Sequence, residues 1–132
     1  MKKPIFLCVD DEESILDTLK EQLRAGFGEE FTYETAESAD EAQEIIAEIE
    51  NPNERVVLIV SDWLMPGMKG DEFLVNIQKD YPNIKKVLLT GQADPASIER
   101  AKTEGQIQAV MAKPWTKDGL ISSIKEILAG AA

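Results

Sequence analysis

The sequence predicts an α/β domain: a doubly wound parallel sheet of five strands in the order 2-1-3-4-5. Three observations carry this expectation. Short apolar runs alternate five times with longer amphipathic segments. Runs such as Ile5 to Val9 and Val56 to Val60 are apolar at successive positions, as burial on both faces of a parallel sheet requires. Each run leads into a helical pattern within 132 residues, a length suited to one domain with right-handed crossovers.

The first strand, Ile5 to Val9, ends against Asp10, Asp11, Glu12 and Glu13. The period then changes. Ile15, Leu16, Leu19 and Leu23 fall on one helical stripe, which Gly26 and Gly28 are expected to stop. Phe31 to Tyr33 is a short second strand. Ser38 followed by Glu41 is a capping box, and the helix behind it carries Ala42, Ile45, Ile46 and Ile49 to a break at Asn51-Pro52-Asn53. Val56 to Val60 is the third strand. Pro66, Gly67 and Gly70 mark a loop, and Phe73, Leu74 and Ile77 open a third helix that closes before Pro82. Val87 to Leu89 is the fourth strand. Pro95 occupies the first turn of a fourth helix with Ile98 and Ala101 inward, ended by Gly105. Ile107 to Ala112 is a weaker fifth strand, and Leu120, Ile121, Ile124, Ile127 and Leu128 form the stripe of a last helix. Five such units suit the flavodoxin-like arrangement, with residues 1–132 as a single domain.

Charge narrows the function classes. Lys and Arg number 14 against 25 Asp and Glu, a net charge of −11. Such a chain repels nucleic acids and anionic membranes. A single cysteine, Cys8, rules out an internal disulfide and fits a reducing compartment. The absence of histidine removes His-based triads and most zinc sites. No apolar run approaches the ~18 residues of a membrane span. The N-terminal apolar stretch stops at Val9 before four acids, unlike a signal peptide, so the expected location is cytoplasmic.

Ligands of a doubly wound sheet bind beyond the carboxyl ends of its strands. There the sequence places Asp10 and Asp11 after the first strand, Asp62 after the third, Thr90 and Gly91 after the fourth, and Lys113 and Pro114 after the fifth. The first and third strands are neighbours in the 2-1-3-4-5 order, so three carboxylates converge. At ~4 Å each like-charged pair costs ~4 kcal/mol at an effective dielectric of ~20, so a carboxylate protonates or a cation joins. Carboxylates without His or Cys favour a hard ion, Mg²⁺, which keeps open positions for a phosphoryl oxygen. Lys113 adds an ammonium, Thr90 a hydroxyl, and Gly91 removes bulk beside it. A carboxylate so flanked is a plausible phosphoryl acceptor, in a reaction that asks mainly for positioning and charge neutralisation.

The set Asp10-Asp11, Ser61-Asp62-Trp63-Leu64-Met65-Pro66-Gly67-Met68-Lys69-Gly70, Thr90-Gly91 and Lys113-Pro114-Trp115 closely resembles the receiver (REC) domain of two-component response regulators, over about Ile5 to Leu128. The resemblance implies that Asp62 is the phosphoacceptor, that Asp11 and Asp62 ligate Mg²⁺ directly with Asp10 assisting through water, and that the backbone carbonyl of Leu64 is a further metal ligand. It implies that Thr90 and Lys113 contact the phosphoryl group and that the Lys113–Pro114 bond is cis. It further implies a phosphohistidine donor on a sensor histidine kinase or histidine phosphotransfer protein. Phosphorylation would shift the face formed by the fourth helix, fifth strand and fifth helix (α4-β5-α5, about Pro95 to Leu128) for a downstream protein, a C-terminal effector domain or a homodimer. No direct nucleic-acid or membrane partner is expected, and no chemistry beyond the domain's own aspartyl phosphorylation and dephosphorylation. No effector domain is expected directly after Leu128.

The chain departs from the family pattern at Val110, where many receivers carry Tyr or Phe. Leu64 and Gln92 stand at the positions implied to tune the phosphoryl lifetime. Other readings have different demands. A Mg²⁺-dependent aspartate-nucleophile phosphatase of the haloacid-dehalogenase type uses Asp-x-Asp after the first strand, where this chain has adjacent Asp10-Asp11. A flavin mononucleotide carrier needs a hydroxyl-rich loop where four acids stand. A phosphorylation-independent adaptor would leave the acid, Thr and Lys set without a use. Taken singly, Asp10 and Asp11 would suit the positive end of a helix, Asp62 a turn, and Lys113 the solvent. Trp63 and Trp115 read as packing residues, Cys8 as a small buried hydrophobe, and the Glu-rich helix Ala42 to Glu50 as a solvated face.

Overall fold

A computed structural model describes residues 3–49, 55–91 and 94–130. Its strands are β1 (Ile5–Val9), β2 (Thr32–Ala36), β3 (Val56–Asp62), β4 (Lys85–Thr90) and β5 (Ala109–Ala112). Its helices are α1 (Glu13–Phe27), α2 (Ala39–Ile49), α3 (Gly70–Asp80), α4 (Pro95–Thr103) and α5 (Lys117–Leu128). The strands form one sheet in the order β2-β1-β3-β4-β5, with every pairing parallel. The expected fold class and strand order are those observed.

Alternation along β1 divides the core. Phe6 and Cys8 face α1 and α5, packing with Leu16, Leu19, Leu23, Leu120, Ile124 and Ile127. Ile5, Leu7 and Val9 face the opposite layer, with Ala42 and Ile46 of α2, Phe73 and Leu74 of α3, and Ala101 of α4. The central strands are buried on both sides, which is why their sequences are apolar without interruption. Cys8 is buried as expected, and burial pushes its thiol up to about 12 against a small opposing pull from Lys20.

Several boundaries differ from the sequence expectation. Gly26 does not stop α1 but lies inside it, and Gly28, with φ of 70°, ends the helix. A Cβ on Gly26 would stand 2.4 Å from Cδ1 of Ile121, so this glycine serves the close approach of α1 to α5. The second strand starts one residue late and runs through Ala36. Phe31 stays outside it and stacks on Phe6 with centroids 4.3 Å apart, while polar Glu34 and Thr35 are tolerated because β2 is an edge strand. β5 begins at Ala109, since Ile107 donates its amide to Ala101 rather than to the sheet. Gly70 opens α3 instead of belonging to the loop before it.

The Ser38–Glu41 capping box follows the sequence, and Asp94 adds a cap not expected from it. The Glu41 amide donates to Ser38 Oγ at 3.1 Å, with the Glu41 carboxylate reaching back to the Glu37 amide at 3.5 Å. Asp94 Oδ1 accepts from the Ser97 amide at 2.7 Å, beside Pro95 in the first turn of α4. The expected break at Asn51-Pro52-Asn53 lies outside the described residues. No helix among the described residues is long and apolar enough to cross a membrane.

Candidate functional site

The carboxyl edge of the sheet opens into a cleft of about 470 Å³, lined by Asp11, Asp62, Trp63, Leu64, Thr90, Gly91 and Lys113 among others. β1 and β3 pair in parallel, with Val9 opposite Ser61. The acids that follow each strand therefore meet. Carboxylate oxygens of Asp10, Asp11 and Asp62 all lie within 4.8 Å of one another. Asp10 and Asp62 are buried and Asp11 is exposed.

Lys113 answers this concentration of charge. Its Nζ stands 2.8 Å from Asp62 Oδ1 and 3.2 Å from Asp10 Oδ2. The other oxygen of Asp10 accepts the Glu12 amide at 2.9 Å, so both of its oxygens are engaged within the protein. The Lys113 backbone is held as well, its amide donating to the Thr90 carbonyl at 3.0 Å, and the peptide bond to Pro114 is cis.

Two carboxylates share this one ammonium with Asp11 beside them, and the titration of Asp62 and Lys113 reflects it. Burial pushes the Asp62 carboxyl up. The Lys113 hydrogen bond opposes that push, while the charges of Asp10 and Asp11 add to it. Burial pulls Lys113 down, but its hydrogen bond with Asp62 and the charges of Asp62 and Asp10 outweigh this, and the net direction is up. The ammonium is thus firmly charged, and Asp62 holds its negative charge reluctantly. The donor set is all oxygen, with one exposed and two buried carboxylates opening to a cleft. That chemistry fits a hard divalent cation such as Mg²⁺ and not a thiolate or imidazole metal.

The remaining residues flank the centre. Thr90 closes β4, is 8% exposed and lines the same cleft as Asp62. Among the described residues, a Cβ on Gly91 would meet Cβ of Lys113 at 3.8 Å, an ordinary van der Waals contact. Leu64 turns a 48%-exposed side chain outward at the cleft mouth. Val110 is half-buried against the α2–α3–α4 side of the core, and Gln92 lies outside the described residues. The two tryptophans pack as expected. Trp115 joins the α1–α5 side and donates its indole N–H to Gln22 at 2.8 Å, while Trp63 is buried on the other side.

Two residues to which sequence reasoning gave no part in the site also shape it. Gly70 donates its amide to the Trp63 carbonyl at 2.8 Å, and a Cβ on it would fall 2.2 Å from the Asp62 carbonyl oxygen. Asp71 is buried and accepts the Trp63 indole N–H at 3.0 Å. Nothing local signals either role, since both contacts close a loop of seven or eight residues.

Known proteins are similar to this chain in sequence and in fold. The family model described as the response regulator receiver domain matches residues 6–125. The chain is 33% identical over 125 residues to the hydrogenase transcriptional regulatory protein HoxA of Cupriavidus necator, covering 95% of this chain and 24% of that protein. It is 27% identical to a chemotaxis protein CheY homolog of Campylobacter jejuni, covering 93% of this chain and 91% of that protein. Among solved structures, the signal receiver domain of an HD domain-containing protein from Pseudomonas fluorescens superposes with a TM-score of 0.87 at 31% identity, covering 98% of this chain and 97% of that one. A CheY-like response regulator receiver domain protein from Methanospirillum hungatei does so with a TM-score of 0.84 at 32% identity, covering 98% and 96%. The chain spans about a quarter or less of the first curated relatives it matches. With the family model spanning nearly its whole length and the acidic centre at the carboxyl edge of the sheet, the chain belongs to the response regulator receiver domains of two-component systems.

Proposed function

We propose that Asp62 is the phosphoacceptor of this receiver domain, and that Asp10, Asp11 and Asp62 hold Mg²⁺ together with the backbone carbonyl of Leu64. The observation that carries the reading is the Lys113 ammonium bridging Asp62 and Asp10, with a third carboxylate beside them. Asp11 and Asp62 face the cleft and are the direct ligands, whereas Asp10, its oxygens already engaged, acts through water. When bound, Mg²⁺ offsets the excess negative charge and accepts a phosphoryl oxygen.

An Asp62 carboxylate oxygen forms the new bond to phosphorus as the P–N bond of a phosphohistidine on a sensor kinase or phosphotransfer protein breaks. The electron pair of that bond stays on the imidazole nitrogen. Lys113 then exchanges part of its contact with Asp62 for a phosphoryl oxygen. The Thr90 hydroxyl donates to another oxygen. The product adds about 1.5–2 negative charges to the cleft, and the response of Thr90 and Lys113 reaches the α4-β5-α5 face, Pro95 to Leu128.

Residues 1–132 act in this reading as one regulatory domain in the cytoplasm. Its only chemistry is its own aspartyl phosphorylation and dephosphorylation. Its output is a contact with a downstream protein, an effector domain or a second copy. Incubation with acetyl phosphate and Mg²⁺ is expected to add one phosphoryl group by intact mass, lost in acid or base and absent from Asp62→Asn. An adduct that persists in Asp62→Asn, or multiple turnover on phosphomonoesters, defeats the reading.

A further inference from the structure

We infer that Asp71 is a positioning residue for the acidic centre, acting through the indole of Trp63; this rests on the reading of that centre as a metal-dependent phosphoacceptor. Asp71 is the second residue of α3 and is only 6% exposed. A carboxyl group buried there needs polar partners, and the N-terminal end of α3 is one favourable neighbour. The specific partner is Trp63, 7% exposed, whose Nε1–H donates to Asp71 Oδ1 at 3.0 Å.

Residue 63 lies between Asp62, the acceptor, and Leu64, whose carbonyl is assigned to the metal. Its main chain is already held on both sides. The Trp63 amide donates to Leu89 of β4 at 3.0 Å, and its carbonyl accepts from Gly70 of α3 at 2.8 Å. The missing side chain of Gly70 permits that approach. The indole is packed in the core, Asp71 holds its N–H at the ring edge, and the Lys69 ammonium sits 4.9 Å over the ring. The start of α3 therefore grips residue 63 through main chain and side chain together, and presents Asp62 and Leu64 in one orientation. A hydrogen bond of this kind tunes a metal site without touching the ion.

Metal binding read by loss of the free Mn²⁺ signal in electron paramagnetic resonance tests this on the full chain, with Mn²⁺ standing in for Mg²⁺. Asp71→Leu is expected to raise the Mn²⁺ dissociation constant about tenfold, while Asp71→Asn, which keeps an acceptor oxygen, stays within about twofold of wild type. Trp63→Phe is expected to weaken binding as much as Asp71→Leu. Introducing Asp71→Leu into Trp63→Phe should then add nothing further. Wild-type affinity in Asp71→Leu, or an equal additional loss in the Trp63→Phe background, overturns the inference. So does a lowered urea midpoint of metal-free Asp71→Leu with an unmoved dissociation constant. Should Asp71→Leu not fold, the Trp63→Phe and Asp71→Asn pair carries the comparison, and unchanged binding in Trp63→Phe overturns the inference. Failure of the wild type itself to bind Mn²⁺, or binding unaffected by Asp62→Asn, overturns the underlying reading of the acidic centre instead.

Discussion

The Lys113 ammonium stands 2.8 Å from Asp62 Oδ1 and 3.2 Å from Asp10 Oδ2, joining the first and fifth strands across 103 positions of sequence. Both carboxylates are almost fully buried, whereas Lys113 is 23% exposed. In the metal-free protein this cation balances part of the acidic centre. Replacing it by Met keeps the aliphatic stem and leaves buried acids without compensation. Lys113→Met is expected to lose about 1–2 kcal/mol at pH 7, less than the cost of breaking a fully buried pair because of that exposure. Added Mg²⁺ should restore most of the loss. Urea titration with and without Mg²⁺ checks both, and a loss that Mg²⁺ does not touch would separate Lys113 from the acidic centre.

Asp62 holds its proton more tightly in the fold than in the unfolded chain, through burial first and then the charges of Asp10 and Asp11 against the pull of Lys113. Its folded value is raised, so its contribution to stability is present below the ordinary carboxyl value of 3.8 and is lost as pH rises through the raised value. Metal-free Asp62→Asn should therefore melt a few degrees above wild type at pH 7, with the gap closing toward pH 4. Mg²⁺ should stabilise wild type and narrow the gap from the other side. Thermal melts over pH 4–7 measure this; a wild type more stable than the variant at neutral pH without metal contradicts the stated charge balance.

Lys86 lies at the start of β4, away from the cleft, and is 1% exposed. Its Nζ donates to Gln78 Oε1 at 2.7 Å and to the Ile84 carbonyl at 2.8 Å, both neutral acceptors. Burial, with a smaller push from Lys85, pulls its pKa down to about 8. Between that value and the ordinary 10.5 the unfolded chain binds more protons than the fold, so stability rises with pH. The difference in unfolding free energy between wild type and Lys86→Met should grow in favour of wild type by about 2 kcal/mol from pH 8 to pH 10. A difference that stays flat over that range would show that Lys86 titrates normally.

Gly26 of α1 faces Ile121 of α5, with room for no Cβ as the side chain stands. Two effects compete in Gly26→Ala: overpacking, about 1–3 kcal/mol, and the helix preference of Ala over Gly, about 1 kcal/mol. Because the obstructing atoms belong to a movable side chain, the net cost is expected at about 1 kcal/mol. In an Ile121→Ala background the obstruction is gone, and the same substitution should stabilise by up to about 1 kcal/mol. A double-mutant cycle by urea unfolding measures the reversal, and equal costs in both backgrounds would contradict the packing argument.

Local physics determined much of this protein within the sequence itself. Uninterrupted apolar strands such as Val56 to Val60 specify burial on both faces, the pattern of a parallel sheet with helices on either side. Asp10, Asp11, Asp62, Thr90 and Lys113 stand at or just after strand ends, and so fall at one edge of that sheet. Ser38 and Pro95 announce their helices because caps and first-turn residues act within three residues, whereas only the structure shows the Asp94 cap. Contacts between distant segments escape such reading. Gly26 looks like a helix stop until Ile121 is found beside it, and Gly70 looks like a loop residue until the Asp62 carbonyl occupies the space of its side chain. Asp71 looks like an ordinary acid in the first turn of a helix until Trp63 turns its indole toward it. Such roles belong to pairs of surfaces, and tertiary packing alone decides which surfaces meet.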